Sequence, residues 1–311
     1  MAERLMVAKV DDAAAHHEPV MVSEVLRFLQ PGRRRKILDA TIGPGGHTKA
    51  ILKELPEDAI VIGLDWDDRA LELAQKNLAD FSQRVIFIQA NFKEMADVLA
   101  EQGLGKVDGV IYDLGLSAQQ LSDGKRGFSF QREGPLDMRI NDTLPHTARD
   151  LVNHLSLARL AHIFKDYGEE RYARRIARLI VNSRKKSPIR TTLELAQLAK
   201  KVYGPRHFRI HPATRIFQAL RIAVNAELDN LKASLSALPG LLSPEARVVV
   251  ISYHSLEDRM VKETFNQGAR QGLYKILTPK PLGPSDEEIS RNPRSRSARL
   301  RAVERVASEE N

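Results

Sequence analysis

The chain has 311 residues, 28% of them charged, with a formal net charge of +8 and no cysteine. That length supports one large domain or two. The lack of cysteine excludes disulfides, thiolate metal sites and thiol nucleophiles, and it fits a cytoplasmic protein. No apolar run approaches the length of a membrane span. The first residues carry acids and lack the apolar core of a secretory signal, so residues 1–16 read as a flexible tail. The excess positive charge clusters at 171–190, 200–221 and 291–305, which points to a polyanionic partner.

Residues 19–29 have the spacing of a short amphipathic helix, with proline in its first turn. Ile37 and Leu38 then form a short buried strand ending at Asp39. Gly43, Gly45 and Gly46 follow, and after them a helical pattern through Ala50, Ile51, Leu52 and Leu55. Such a strand, glycine turn and helix let the backbone approach a ligand closely. Thr48 stands where a dinucleotide fingerprint needs its third glycine, so the turn suits a nucleoside better than a pyrophosphate. Asp39 is expected to set a carboxylate beside that ligand.

Residues 59–65 and 107–113 read as strands covered on both faces, and 84–89 as a third strand between helices at 67–78 and around 95–99. This alternation predicts a parallel α/β sheet with right-handed crossovers. Ligands of such sheets lie beyond the carboxyl ends of the strands, where Asp39, Asp65, Asn91, Phe92 and Asp113 fall. One terminal acid is readily a helix cap; acids closing three of four strands at one edge call for another reason. Asp65 follows Gly45 by 20 residues, the usual distance for an acid that binds ribose hydroxyls.

The alternation then stops. Residues 114–141 lack periodicity, and helices are expected at 148–154, 157–167, 169–182 and 193–202. This is a helical insertion whose side carrying Arg171, Arg174, Arg175 and Arg178 suits phosphates or is simply solvated. A long helix is expected from 213 to 238, with Thr214, Gln218, Arg221 and Asn225 in one polar row on an apolar surface. That row is expected to line a cleft, with Arg221 meeting either an RNA backbone or a core carboxylate. A strand at 248–252 leads to a helix over 256–265, which Ser255 and Asp258 are expected to cap. His254, just before it, is either a group at the cleft edge or an ordinary loop histidine. Strands are expected at 274–277 and 298–306, with 279–297 as a surface loop between them.

Eight stretches together carry a family resemblance: HEPVM from His17, DATIGPGGHT from Asp39, DGVIYDLGLSAQQL from Asp108, RGFSF from Arg126, GPLDMR from Gly134, YGEERYARRIA from Tyr167, HPATRIFQALRIAVNAEL from His211 and ISYHSLEDRMVK from Ile251. The chain resembles the MraW-type, S-adenosylmethionine-dependent methyltransferases of small-subunit ribosomal RNA from about His17 to Val306. The resemblance implies a bacterial cytoplasmic enzyme that methylates N4 of one cytidine in the decoding region of 16S rRNA, with no metal. It implies a seven-stranded Rossmann-like core, 17–125 and 213–306, interrupted by a helical RNA-binding domain, 126–212. By position, Gly45, Gly46, His47, Asp65, Phe92, Asp113 and Gln120 match the family's cofactor contacts. Arg171, Arg174, Arg178 and Arg221 are the candidate RNA contacts.

The chemistry fits. Methyl transfer from a sulfonium is an in-line displacement governed by positioning. A hydrogen-bond acceptor near the amine frees a lone pair otherwise delocalised into the ring, and Asp113 is the nearest candidate. Lack of cysteine argues against methylation at C5, where a thiol normally adds to the ring. Two other functions remain: a methyltransferase for a small molecule or protein, and a ribosome assembly factor that holds cofactor without turnover. The first leaves the basic insertion unexplained, the second the acid-lined edge.

Overall fold

The computed structural model describes residues 19–204 and 211–307. The N-terminal tail, His17 and the middle of the basic stretch 200–221 lie outside the described residues. Helix α1 (Val22–Leu29) is followed by β1 (Lys36–Asp39), α2 (Gly46–Glu54), β2 (Ile60–Asp65), α3 (Asp68–Asn77), β3 (Val85–Gln89), α4 (Met95–Glu101) and β4 (Val107–Asp113). A short α5 (Ala118–Ser122) precedes four helices: α6 (Ala148–His154), α7 (Leu157–Asp166), α8 (Ala173–Arg184) and α9 (Thr192–Tyr203). Then come α10 (Ala213–Asn225), α11 (Glu227–Leu241), β5 (Leu242–Ser252), α12 (Ser255–Arg270), β6 (Tyr274–Ile276), α13 (Asp286–Arg291) and β7 (Arg299–Arg305).

The strands form one seven-stranded sheet in the order β3-β2-β1-β4-β5-β7-β6. Strands β1 to β5 run parallel, and β7 is antiparallel to both its neighbours. Successive side chains of a strand point to opposite faces. Ile37, Val61, Ile111 and Val249 therefore pack under α1 to α3, while Leu38, Ile62, Tyr112 and Val250 pack under α4, α11 and α12. The order reverses between β1 and β4, and the crevice at such a switch is where ligands bind in open α/β sheets.

Helices α6 to α9 have an apolar cluster of their own, built on Val152, Leu160, Phe164, Ile176, Ile180 and Leu195. Helix α10 supplies Ile216, Phe217, Ala219 and Leu220 to it. Glu169, in the turn before α8, ties this unit to α12: it accepts from Ser255 Oγ, and Arg259 Nη2 lies 3.2 Å from its Oε1.

Three local expectations are corrected. The helix expected over 213–238 is two helices, broken at Ala226, whose φ of 50° is left-handed. Asn225 holds the break: its Nδ2 donates to the carbonyls of Met138 and Arg221, and its Oδ1 accepts from Ile140 N. The cap of α12 is His254, with Glu257 as its reciprocal partner, in place of Ser255 and Asp258. Asp258 is instead held by Arg301 at 2.7 Å. The expected surface loop 279–297 contains α13, pinned by a 2.7 Å bond from Met21 N to Glu288, and its residues 291–294 join the wall of the cavity described next.

Candidate active site

A cavity of about 630 Å³ opens beyond the carboxyl ends of the parallel strands. Its wall over β1 to β3 is the glycine turn with Asp65 and Phe92. Gly43 and Gly45 have positive φ, 51° and 87°, which glycine adopts without penalty. Gly46 and His47 line the cavity; Gly45 lies behind it, where a Cβ would come within 2.8 Å of Leu78. Asp39 departs from expectation. It is 2% exposed and faces inward, accepting from Thr48 Oγ1 at 2.6 Å and from Thr41 N at 3.2 Å. It therefore braces the turn instead of facing a ligand, and burial pushes its carboxyl up to about 6.

Asp65 lines the cavity, half-buried. Its two oxygens accept one backbone N–H each, from Gly43 and Asp67, both at 2.9 Å. Burial outweighs these bonds and pushes the carboxyl up to about 7. Phe92 packs edge-on against Tyr112, 6.0 Å between ring centres. Gln120 closes this side: its Nε2 donates to Asp67 at 2.9 Å, and its Oε1 accepts from Ser117 N. Asp67 also carries the buried Arg126 guanidinium.

Asp113 ends β4, between the β1 and β5 sides of the cavity. Its Oδ1 accepts from the Tyr253 hydroxyl at 2.7 Å. His47 Nε2 lies 2.8 Å from the Val20 carbonyl, an acceptor only, so that nitrogen carries the proton. Its Nδ1 stands 3.6 Å from Asp113 Oδ2. Oδ2 accepts no hydrogen bond among the described residues. Burial, then the Asp113 charge, push the Tyr253 phenol well above its ordinary value, so it remains a donor.

A further part of the wall carries Arg221, Asn225, Glu227 and Glu257. Arg221 meets a carboxylate: its Nε and Nη2 donate to Glu227 at 2.8 and 2.9 Å. Thr214 and Gln218 do not line the cavity, and Gln218 donates to the Tyr167 carbonyl. Glu257 accepts from Tyr253 N at 2.9 Å and pairs with His254 Nε2 at 3.1 Å. Burial raises its pKa, but His254 and Arg221 together bring it below the ordinary range. Donor atoms of Glu227, His254 and Glu257 lie within 4.8 Å of one another, the spacing of a cation site. Arg221 already brings a positive charge to that cluster.

Arg171, Arg174 and Arg178 are exposed on the helical unit, apart from Arg221. Arg171 lies over the Tyr172 ring at 4.6 Å. Arg174 and Arg178 make no hydrogen bond or ion pair among the described residues. Tyr253, Glu227 and Glu257 were not anticipated from the sequence; the available signal was HSLED, with Glu257 three residues after His254.

The open sheet and the acid- and glycine-lined cavity at its switch point define a nucleoside-cofactor enzyme of the Rossmann-like class. The sequence pattern of the MraW methylase family matches residues 14–306. The ribosomal RNA small subunit methyltransferase H of Thermomicrobium roseum is 46% identical, covering 99% of each chain. That of Geobacter sulfurreducens is 47% identical over 93% of this chain and 99% of its own. Among solved structures, an O-methyltransferase from Bacillus cereus aligns with a TM-score of 0.47 at 9% identity, covering 94% of this chain and 84% of its own. The chain belongs to the MraW methylase family, and its cofactor is S-adenosylmethionine.

The cavity residues fit that cofactor. Asp65 offers unfilled acceptor sites to a pair of ribose hydroxyls, the Gly43–Gly46 turn lets backbone approach, and Phe92 gives an apolar wall.

Proposed function

We propose that this chain methylates N4 of one cytidine in the decoding region of 16S ribosomal RNA, within the cytoplasm. The single observation that carries the reading is the near-full-length similarity to relatives named for small-subunit ribosomal RNA. Two features of the molecule support it. An acceptor, Asp113 Oδ2, takes no hydrogen bond among the described residues, and an arginine face that makes no ion pair among them lies on the helical unit. No helix among the described residues is long and apolar enough to cross a membrane.

S-adenosylmethionine, when bound, supplies an electrophilic methyl on a positively charged sulfur. Asp65 holds the ribose hydroxyls, with Gly46, His47 and Phe92 around the nucleoside and Gln120 closing the wall. Asp113 Oδ2 accepts an N–H of the cytosine amine. That draws the lone pair out of conjugation with the ring and aims it at the reacting carbon. As the new N–C bond forms, the carbon–sulfur bond would break with its electron pair left on sulfur as a neutral thioether, and the same oxygen takes up the proton that the nitrogen sheds. Tyr253 keeps Oδ1 occupied, so the carboxylate presents one oxygen. Segment 126–212 acts as the RNA-binding domain, with Arg171, Arg174 and Arg178 on phosphates.

Transfer of labelled methyl to small ribosomal subunits, free RNA and total protein tests this. The reading expects label in RNA of the small subunit. Label in protein or small molecules, or cofactor binding without transfer to any of them, contradicts it.

A further inference from the structure

Arg221 and Glu227 are six residues apart, a separation that puts side chains on different sides of an unbroken helix. They meet because the chain breaks at Ala226 in a left-handed conformation that a residue with a Cβ adopts only at a cost. The result is a guanidinium clamped by two parallel bonds, 2.8 and 2.9 Å, with its side chain 17% exposed. Such a fork-to-fork pair fixes the plane of the group. The third nitrogen, Nη1, makes no hydrogen bond among the described residues, and Arg221 lines the cavity. A surface arginine meant for phosphates, such as Arg174, shows none of this restraint.

The sheet order divides the cavity. The ribose acid and glycine turn lie over β1 and β2, Asp113 ends β4, and Arg221 reaches the carboxyl end of the neighbouring β5 through Glu227, which lies by Glu257, the acceptor of Tyr253 N. Asp113 and Arg221 line the same cavity, so a nucleobase with its amine at Asp113 has Arg221 available to its neighbouring edge. Cytosine and adenine both carry an amine beside a ring-nitrogen acceptor. Only cytosine continues with a second acceptor, O2; adenine has a C–H there. A fixed donor at that point distinguishes the two.

We propose that Arg221, aimed by Glu227, reads the O2 side of the target pyrimidine and selects an aminopyrimidine over an aminopurine. Arg221 is then a substrate-binding residue and Glu227 a positioning residue. This rests on the cytidine reading above.

The test compares two RNA substrates, one with cytidine and one with 2-thiocytidine at the target position. Sulfur is a weak acceptor. Wild-type enzyme is expected to lose about 10- to 100-fold in kcat/KM on the thio substrate, the range for a lost bond from a charged donor. Glu227→Gln, which loosens the clamp at constant size, and Arg221→Lys are expected to lose activity on cytidine while discrimination shrinks to about threefold or less. Cofactor affinity, measured by calorimetry, stays as in wild type and certifies the fold. Equal wild-type rates on both substrates, or full discrimination in a folded Glu227→Gln, overturn the proposal. Methylation of neither RNA by cofactor-bound wild type overturns the cytidine reading itself, and this inference with it.

Discussion

Tyr253, at the end of β5, donates its hydroxyl to Asp113 at the end of β4, 2.7 Å away. The two strands are neighbours in the sheet, so the bond joins the centre of the cavity to the wall that carries Glu257 and Arg221. Tyr253→Phe removes only that bond. It should leave folding and cofactor affinity intact and lower kcat by about tenfold, the scale of one bond to a charged acceptor. Single-turnover kinetics with saturating RNA measure it; an unchanged rate would show that Asp113 needs no such restraint.

On the proposed ribose role, Asp65 should give cofactor binding a pH dependence. Burial raises its carboxyl to about 7. A carboxyl raised in the folded state stabilises the fold below its unfolded value and loses that contribution as pH climbs through 7. Ribose hydroxyls donate to the ionised form, so the gain in thermal stability from cofactor should be larger at pH 8 than at pH 6. Affinity should fall by up to about tenfold per unit below 7. Asp65→Asn should weaken binding and flatten the profile. A flat wild-type profile would remove Asp65 from the ribose site.

Charge reversal at Arg174 and Arg178 should weaken RNA binding and make its salt dependence shallower, because fewer counterions are released. Cofactor affinity should not change. An identical salt slope would make this face merely solvated.

Arg221→Met leaves the Glu227 carboxylate, 15% exposed, without its partner. Stability should fall by about 3 kcal/mol at most, since water in the cavity solvates part of the charge. Thermal unfolding measures it, and an unchanged melting temperature would mean that the pair is dispensable to the fold.

The parallel sheet was legible because its strands are apolar runs closed by acids, and the glycine turn because glycine adopts its φ values without penalty. The place of Asp65 on the cavity wall was legible from the strand that it closes. The break at Ala226 was not. Alanine has no leaning toward left-handed backbone, and Asn225 is held there by Met138 and Ile140, far away in sequence. The α12 cap was misread because serine is a far commoner cap than histidine, and Ser255 stands one residue on. Asp39 looked like its fellow strand-end acids; Thr48 turns it inward. Tyr253 carried no local signal, since its partner comes from another strand.

The central claim is that the cavity around Asp113 methylates a cytidine amine. The direct measurement is mass spectrometry of nucleosides from small subunits incubated with isotopically labelled cofactor and either wild type or Asp113→Asn. Labelled N4-methylcytidine is expected at a single decoding-region position with wild type, and at least about a hundredfold less with the variant. Label on C5, on ribose or on another base, or undiminished N4-methylcytidine from Asp113→Asn, would contradict it.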